Sequence, residues 1–128
     1  EEAVDFQTKT GVDALAVAVG NAHGVYKSKP CIQLQRIAEL NAAVKCPLVM
    51  HGGSGLSDDD FRNTIARGIA KVNIFTDLDS AGKRGIEKGL SAGAKSLMGL
   101  IPYSIAEMKA AAMEKMQLFG SAGRALVG

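Results

Sequence analysis

Strand-length apolar runs alternate with stretches in which apolar residues recur every three or four positions. The first run, Asp13–Val19 (DALAVAV), is closed by Gly20. A short run that is apolar throughout predicts a parallel strand covered on both faces. A loop, GNAHGVYKSK, leads into a predicted helix. Ser28 is its expected cap and Pro30 lies in its first turn, where the missing N–H costs nothing. Ile37, Leu40 and Val44 then follow at helical spacing. Cys46–Met50 is a second strand, ending in His51-Gly-Gly-Ser-Gly55. Ser57 with Asp60 three residues on reads as a capping box, and Phe61, Ile65 and Ile69 as the buried face of that helix, with Gly68 near its end. Ala70–Phe75 is a third strand, running into a helix from Thr76. Pro102 is expected to break the chain. Ser104 and Glu107 would then cap a last helix with Ile105, Met108 and Ala112 facing inward, before the closing FGSAGRALVG.

The order is helix end, strand, helix, strand, helix, strand, helices. His23, His51 and Asn73 recur at intervals close to the roughly 30 residues of a βαβ unit. This class of α/β chain forms either a doubly wound sheet or a (β/α)8 barrel. A chain of 128 residues ordinarily makes one domain with a modest core. A full barrel takes about 250, so three strands would be less than half of one. The opening EEAVDFQTKTGVD has no initiator Met and reads as the second half of a helix. It predicts that these residues represent part of a longer chain.

Composition narrows the class of partner. Hydrophobic residues make up 47% and charged residues 22%, which argues against disorder and fibrous structure. The net charge of +2 is small, and the basic residues are scattered rather than striped, so no nucleic-acid surface is expected. No apolar run approaches the roughly 18 residues of a membrane span, and no signal peptide opens the chain. Cys31 and Cys46 lack CxxC spacing and read as reduced, buried thiols of a cytoplasmic protein.

Chemistry concentrates at the strand ends. The chain's two histidines, His23 and His51, and Asn73 each fall at or just beyond the C-terminal end of a predicted strand. In a barrel that rim is where adjacent strands deliver side chains into one crevice. Imidazole is a common zinc ligand, but two histidines do not complete a site, which usually takes three protein ligands. Each histidine could equally hydrogen-bond within its loop. The glycines behind His51 lead into a helix start, where free N–H groups favour an anion. A tight turn that needs positive φ would explain one of these glycines comfortably but three less well. The string matches neither the hydrolase elbow nor the P-loop. Asn73 in a buried-type strand needs a hydrogen-bond partner, and Thr76 could donate to a phosphate or cap the next helix.

Three segments in order, GVDALAVAVGNAHGVYK, PLVMHGGSGLSDDDFRNTIARGIAKVNIFTDL and FGSAGR, resemble the zinc-dependent class II ketose-bisphosphate aldolases. The resemblance spans nearly the whole sequence. It implies a (β/α)8 barrel of which residues 1–128 are the C-terminal half, with the last three βα units, assembled as a dimer or tetramer. The implied reaction is reversible aldol cleavage of fructose or tagatose 1,6-bisphosphate to dihydroxyacetone phosphate and glyceraldehyde 3-phosphate. His23 and His51 would be two of three zinc ligands. Gly24, Gly52, Gly53 and Ser54 would cradle the dihydroxyacetone-phosphate end. Asn73, Ile74, Phe75 and Thr76 match the last-strand motif, with Asn73 near the enediolate oxygens and Thr76 at the phosphate. Carbonyls around Gly24, Gly52 and Ser54 are implied to hold a monovalent cation, Na+ or K+.

The sequence also departs from that pattern. The family's third zinc histidine and its proton-shuttling aspartate belong to the N-terminal half, so no catalytic acid or base is assigned within residues 1–128. A half-barrel leaves strand edges unpaired and is not expected to turn over alone. Asp77 and Asp79 stand where substrate-end contacts could arise, and Tyr26 and Lys27 follow His23 in the loop. Two other readings stay open: a fragment or degenerate homologue that binds a sugar phosphate without turnover, and a doubly wound phosphate-binding regulator with structural histidines.

Overall fold

A computed structural model describes residues 1–20, 30–53 and 55–125. The chain divides into two compact units, Glu1–Ile74 and Phe75–Gly128. The first carries α1 (Glu2–Thr10), β1 (Leu15–Ala16), α2 (Leu34–Ala43), β2 (Leu48–Met50), α3 (Asp58–Ala66) and β3 (Ile69–Val72). The second carries α4 (Thr76–Ser91) and α5 (Leu97–Leu118). The predicted alternation is therefore observed.

The three strands form one parallel sheet in the order β1-β2-β3. Central β2 is buried at all three positions, as a strand flanked on both sides should be. Leu15 pairs with Leu48 and Ala16 with Val49 on one side; Val49 pairs with Lys71 and Met50 with Val72 on the other. Around it Val19, Ile37, Val44, Leu56, Phe61 and Ile69 complete the apolar core, with Thr64 fully buried among them. The Thr64 hydroxyl is satisfied by donating to the Phe61 carbonyl at 2.9 Å. At the other edge of this unit, Gln7 of α1 accepts the Lys45 N–H at 2.9 Å and ties α1 to the turn before β2.

Several elements differ from the sequence expectation. The run over Asp13–Val19 is not covered on both faces. Leu15, Val17 and Val19 turn inward while Ala14, Ala16 and Ala18 are exposed, so small alanines hid a period of two. Of the predicted start of the following helix, Ser28 lies outside the described residues and Pro30 precedes the helix. The Gln33 N–H donates to the Val19 carbonyl at 2.9 Å, which ties this segment to the end of β1 and delays α2 to Leu34. Ile69 belongs to β3 rather than to the buried face of α3. Gly68 at φ +114 turns the chain between them, and a Cβ there would lie 2.2 Å from Asn41 Cγ on α2. The third strand is correspondingly Ile69–Val72 rather than Ala70–Phe75, and Phe75 is 76% exposed. The Ser57–Asp60 capping box is present in both directions. Both cysteines are free, but Cys31 is exposed and Cys46 half-buried, so the buried-thiol expectation is not met.

The second unit is an antiparallel helical hairpin made possible by glycines. Gly82, Gly85 and Gly89 form a buried stripe on α4. A Cβ on Gly85 would stand 2.4 Å from the Tyr103 carbonyl oxygen, and one on Gly89 2.8 Å from Leu100 Cδ2. Each glycine costs a helix about 1 kcal/mol in propensity, a cost offset by this close backbone approach. Pro102 does not break the chain; it lies within α5, whose cap is Ser96, accepting from the Gly99 N–H at 3.2 Å. The proline removes only a bond to Met98, which is 74% exposed and open to water. Ser104 and Glu107 are therefore not a cap. Ser104 packs against Gly82, and the Glu107 carboxylate accepts from Lys88 Nζ across the hairpin. Ile105, expected inside, is 58% exposed, while Met108 reaches Gly82.

Two outcomes follow from the hairpin. Gly85→Ala forces a methyl onto backbone that has nowhere to move, and should cost about 1–3 kcal/mol despite alanine's better propensity. Gly99→Ala, whose Cβ would meet nothing closer than 3.4 Å, should be tolerated; denaturant unfolding of the two variants checks the contrast. The hydrogen bond from Lys88, aided by the charges of Lys88 and Arg84, holds the Glu107 carboxyl below its usual range. A depressed folded-state pKa means that the pair stabilises above the ordinary glutamate range and that this stabilisation is lost as pH falls through the depressed value. An NMR titration of Lys88→Ala should show Glu107 returning upward.

Candidate functional site

The parallel register fixes what stands at the sheet's C-terminal edge. Because Met50 pairs with Val72, the next residue of each strand, His51 and Asn73, must emerge side by side. The ladder continues one step beyond the strands, with the Asn73 N–H donating to the Met50 carbonyl at 3.0 Å. The Asn73 amide nitrogen lies 3.1 Å from His51 Nδ1 and 3.5 Å from Nε2. With the amide as donor, Nδ1 accepts and the ring proton sits on Nε2. Both residues are half-buried. The polar partner that Asn73 was expected to need is thus His51.

The glycines following His51 each have a backbone reason to be glycine. Gly52 has φ +62 and Gly55 φ +91, values that side chains rarely adopt. Gly53 is buried, and a Cβ there would meet Val72 Cγ1 at 3.0 Å and Ile74 Cδ1 and Phe61 Cε1 at 3.1 Å. Turn geometry and close packing therefore account for all three, including the two that a tight turn alone explained less well from sequence. Ile74 belongs to this packing. His23, Gly24 and Ser54 lie outside the described residues, as do Tyr26 and Lys27.

The two helix starts implicated by the sequence are not equivalent. At α3 the box is filled: the Asp60 N–H donates to Ser57 Oγ at 3.2 Å, and Asp60 Oδ2 accepts the Ser57 N–H at 3.1 Å. Asp58 and Asp59 add two further acids to the same turn. An incoming anion there would meet occupied donors and like charge. At α4, Phe75 is the residue before the helix and provides no side-chain cap, and Thr76 opens the helix half-buried. Its first turn contains Asp77 and Asp79. Asp77 Oδ2 is 2.8 Å from Lys115 Nζ near the end of α5, an ion pair invisible to local sequence reading because its partners are far apart in the chain.

The donor chemistry suits a metal in part. His51 offers one imidazole at a strand end, but with Nδ1 accepting from the Asn73 amide and the proton on Nε2 neither nitrogen is open to a metal. Ligation through Nε2 requires the proton on Nδ1 and the Asn73 amide turned to present its oxygen, the acceptor that outer-shell support of a histidine ligand uses. Among the described residues no group of three His, Cys, Asp or Glu side chains could hold an ion. Among them too, no helix is long and apolar enough to cross a membrane.

The family described as fructose-bisphosphate aldolase class-II matches residues 1–124. YdjI of Escherichia coli is 40% identical over 98% of this chain, and a sulfofructosephosphate aldolase of Alkalicoccus urumqiensis 37% identical over 98%. The chain spans 44% of the length of each. The crystal structure of the E. coli YdjI aldolase superposes with a TM-score of 0.85 at 36% identity, over 97% of this chain and 45% of that one. A fructose-1,6-bisphosphate aldolase homologue from Coccidioides immitis gives 0.84 at 28%, over 94% and 42%. The parallel βα units are accordingly the C-terminal portion of a (β/α)8 barrel, and the chain belongs to the class II fructose-bisphosphate aldolase family.

Proposed function

We propose that the complete protein containing this chain is a zinc-dependent lyase. It reversibly cleaves a ketose 1,6-bisphosphate, fructose or tagatose, to dihydroxyacetone phosphate and glyceraldehyde 3-phosphate. The observation that carries this reading is the placement of His51 and Asn73 side by side at adjacent strand ends, in a chain matched by the aldolase family over residues 1–124. His51, together with His23, would hold zinc. Zinc, when bound, supplies Lewis-acid stabilisation of negative charge developing on a substrate oxygen. The chain's own residues bind and orient. Asn73 steadies the His51 ring and stands where a substrate oxygen would approach. The backbone at Gly24, Gly52 and Gly53 and the hydroxyl of Ser54 hold the dihydroxyacetone-phosphate end, and nearby carbonyls a Na+ or K+ ion.

The last-strand motif continues through Ile74 and Phe75 to Thr76, which takes the phosphate. The start of α4, where Phe75 provides no side-chain cap, supports that role better than the filled box of α3 does, because a helix N-terminus favours an anion. The third zinc ligand and the proton-shuttling aspartate come from the N-terminal half, so residues 1–128 alone do not turn over. Residues 1–128 are one partial barrel domain of a cytoplasmic homo-oligomer, a dimer or tetramer. A second substrate class has a specific basis: the Alkalicoccus relative is a sulfofructosephosphate aldolase. A phosphorylated sulfofructose belongs beside the two bisphosphates in any assay.

In the full-length protein, chelation or His51→Ala should lower cleavage by roughly a thousandfold, about 4 kcal/mol of lost transition-state stabilisation. Elemental analysis should show metal lost in step. Activity that survives chelator and is trapped by borohydride would indicate Schiff-base chemistry and overturn the assignment. Comparing kcat/KM for the fructose and tagatose bisphosphates and the phosphorylated sulfofructose decides the substrate.

A further inference from the structure

The Asp77–Lys115 pair has an unusual setting for this molecule. Its two side chains are only 28% and 23% exposed, whereas in every other ion pair among the described residues at least one partner is more than half exposed. It joins the first turn of α4 to the last turn of α5, with Asp77 following Thr76 directly. A carboxylate in a helix's first turn competes with any external anion for the same N–H groups and dipole, and repels a phosphate placed there. Partial burial makes that repulsion stronger than it would be in bulk water. An aspartate beside a phosphate-binding threonine is therefore a liability unless its charge is taken up elsewhere.

We propose that Lys115 is a positioning residue for phosphate recognition: it draws the Asp77 carboxylate to itself and cancels its charge beside Thr76. The inference rests on the reading of Thr76 as the phosphate contact. Lys88–Glu107, the other cross-hairpin pair, involves the later half of α4 and leaves the charge at the helix start unchanged. It can clamp the hairpin without touching anion affinity. Lys115 does both. Its charge matters to the ligand through Asp77, and removing Asp77 should make Lys115 dispensable for binding.

The test measures the Kd of inorganic phosphate by calorimetric titration of the full-length protein. Lys115→Met should weaken binding about tenfold, and Lys115→Arg should preserve it. Asp77→Asn alone should bind phosphate as tightly as the parent or more so, and Asp77→Asn combined with Lys115→Met should recover most of the lost affinity. A purely structural tie predicts the opposite: Asp77→Asn weakens binding, and the double variant is as defective as Lys115→Met. Either of those results overturns the proposal. If Lys115→Met fails to fold, the Asp77→Asn affinity still decides between the two. Thr76→Val separates the underlying reading from this one. Parent protein that does not bind phosphate, or binds no better than Thr76→Val, removes the phosphate role of Thr76 and the proposal with it. Weakening by Thr76→Val without weakening by Lys115→Met overturns only the role of Lys115.

Discussion

The pairing of Met50 with Val72 is the constraint on which the rest of the strand unit depends. β2 is three residues long, and each of its side chains is buried. Its lateral position is set by only a few backbone bonds and by the fit of Leu48, Val49 and Met50 into the core. Side chains in a strand alternate faces, so a slip of one residue would exchange the side chains packed on the two covered faces of β2. The same slip would separate His51 from Asn73. Apolar packing in the sheet thus specifies a polar contact at its edge.

The loop after His51 shows how a sequence signature can have two causes. Three glycines in five residues suggest a ligand pressed against bare backbone. In the structure Gly52 and Gly55 adopt positive φ and Gly53 lies against Val72, Ile74 and Phe61. These needs exist with or without a ligand. The contrast between helix starts is more informative. α3 closes its own N–H groups with Ser57 and Asp60, while α4 begins after Phe75 with no such closure. Helix-start donors have to be met by something, and a side chain already present is the cheapest partner.

The helical unit is held by close approach rather than by bulk. The glycine stripe of α4 admits the backbone of α5 at Tyr103 and Ser104, and two ion pairs span the hairpin. Several apolar side chains on α5, among them Met98, Ile105, Met113 and Met116, are exposed instead. This explains why, of Ile105, Met108 and Ala112, it is Ile105 that departs from the expected inward face: the buried face of α5 is chosen by glycines on its partner, which Met108 meets at Gly82, and not by its own largest apolar residues.

The sequence by itself determined the order of elements, the parallel βα character, the capping box at Ser57 and the coincidence of His51 and Asn73 with strand ends. Each is a local property, carried by apolar run length, helical spacing or a side chain reaching three residues along. Family membership was likewise legible, because three motifs stand in order along most of the chain. Other features were decided only in tertiary structure. The delayed start of α2 comes from a bond between Gln33 and Val19, and the continuous helix through Pro102 from a cap at Ser96 and the exposed position of Met98, whose bond the proline removes. The pairing of Asp77 with Lys115 and the contact of His51 with Asn73 join residues separated along the chain. No spacing rule encodes such contacts, since their distances are set by packing and register rather than by covalent connection.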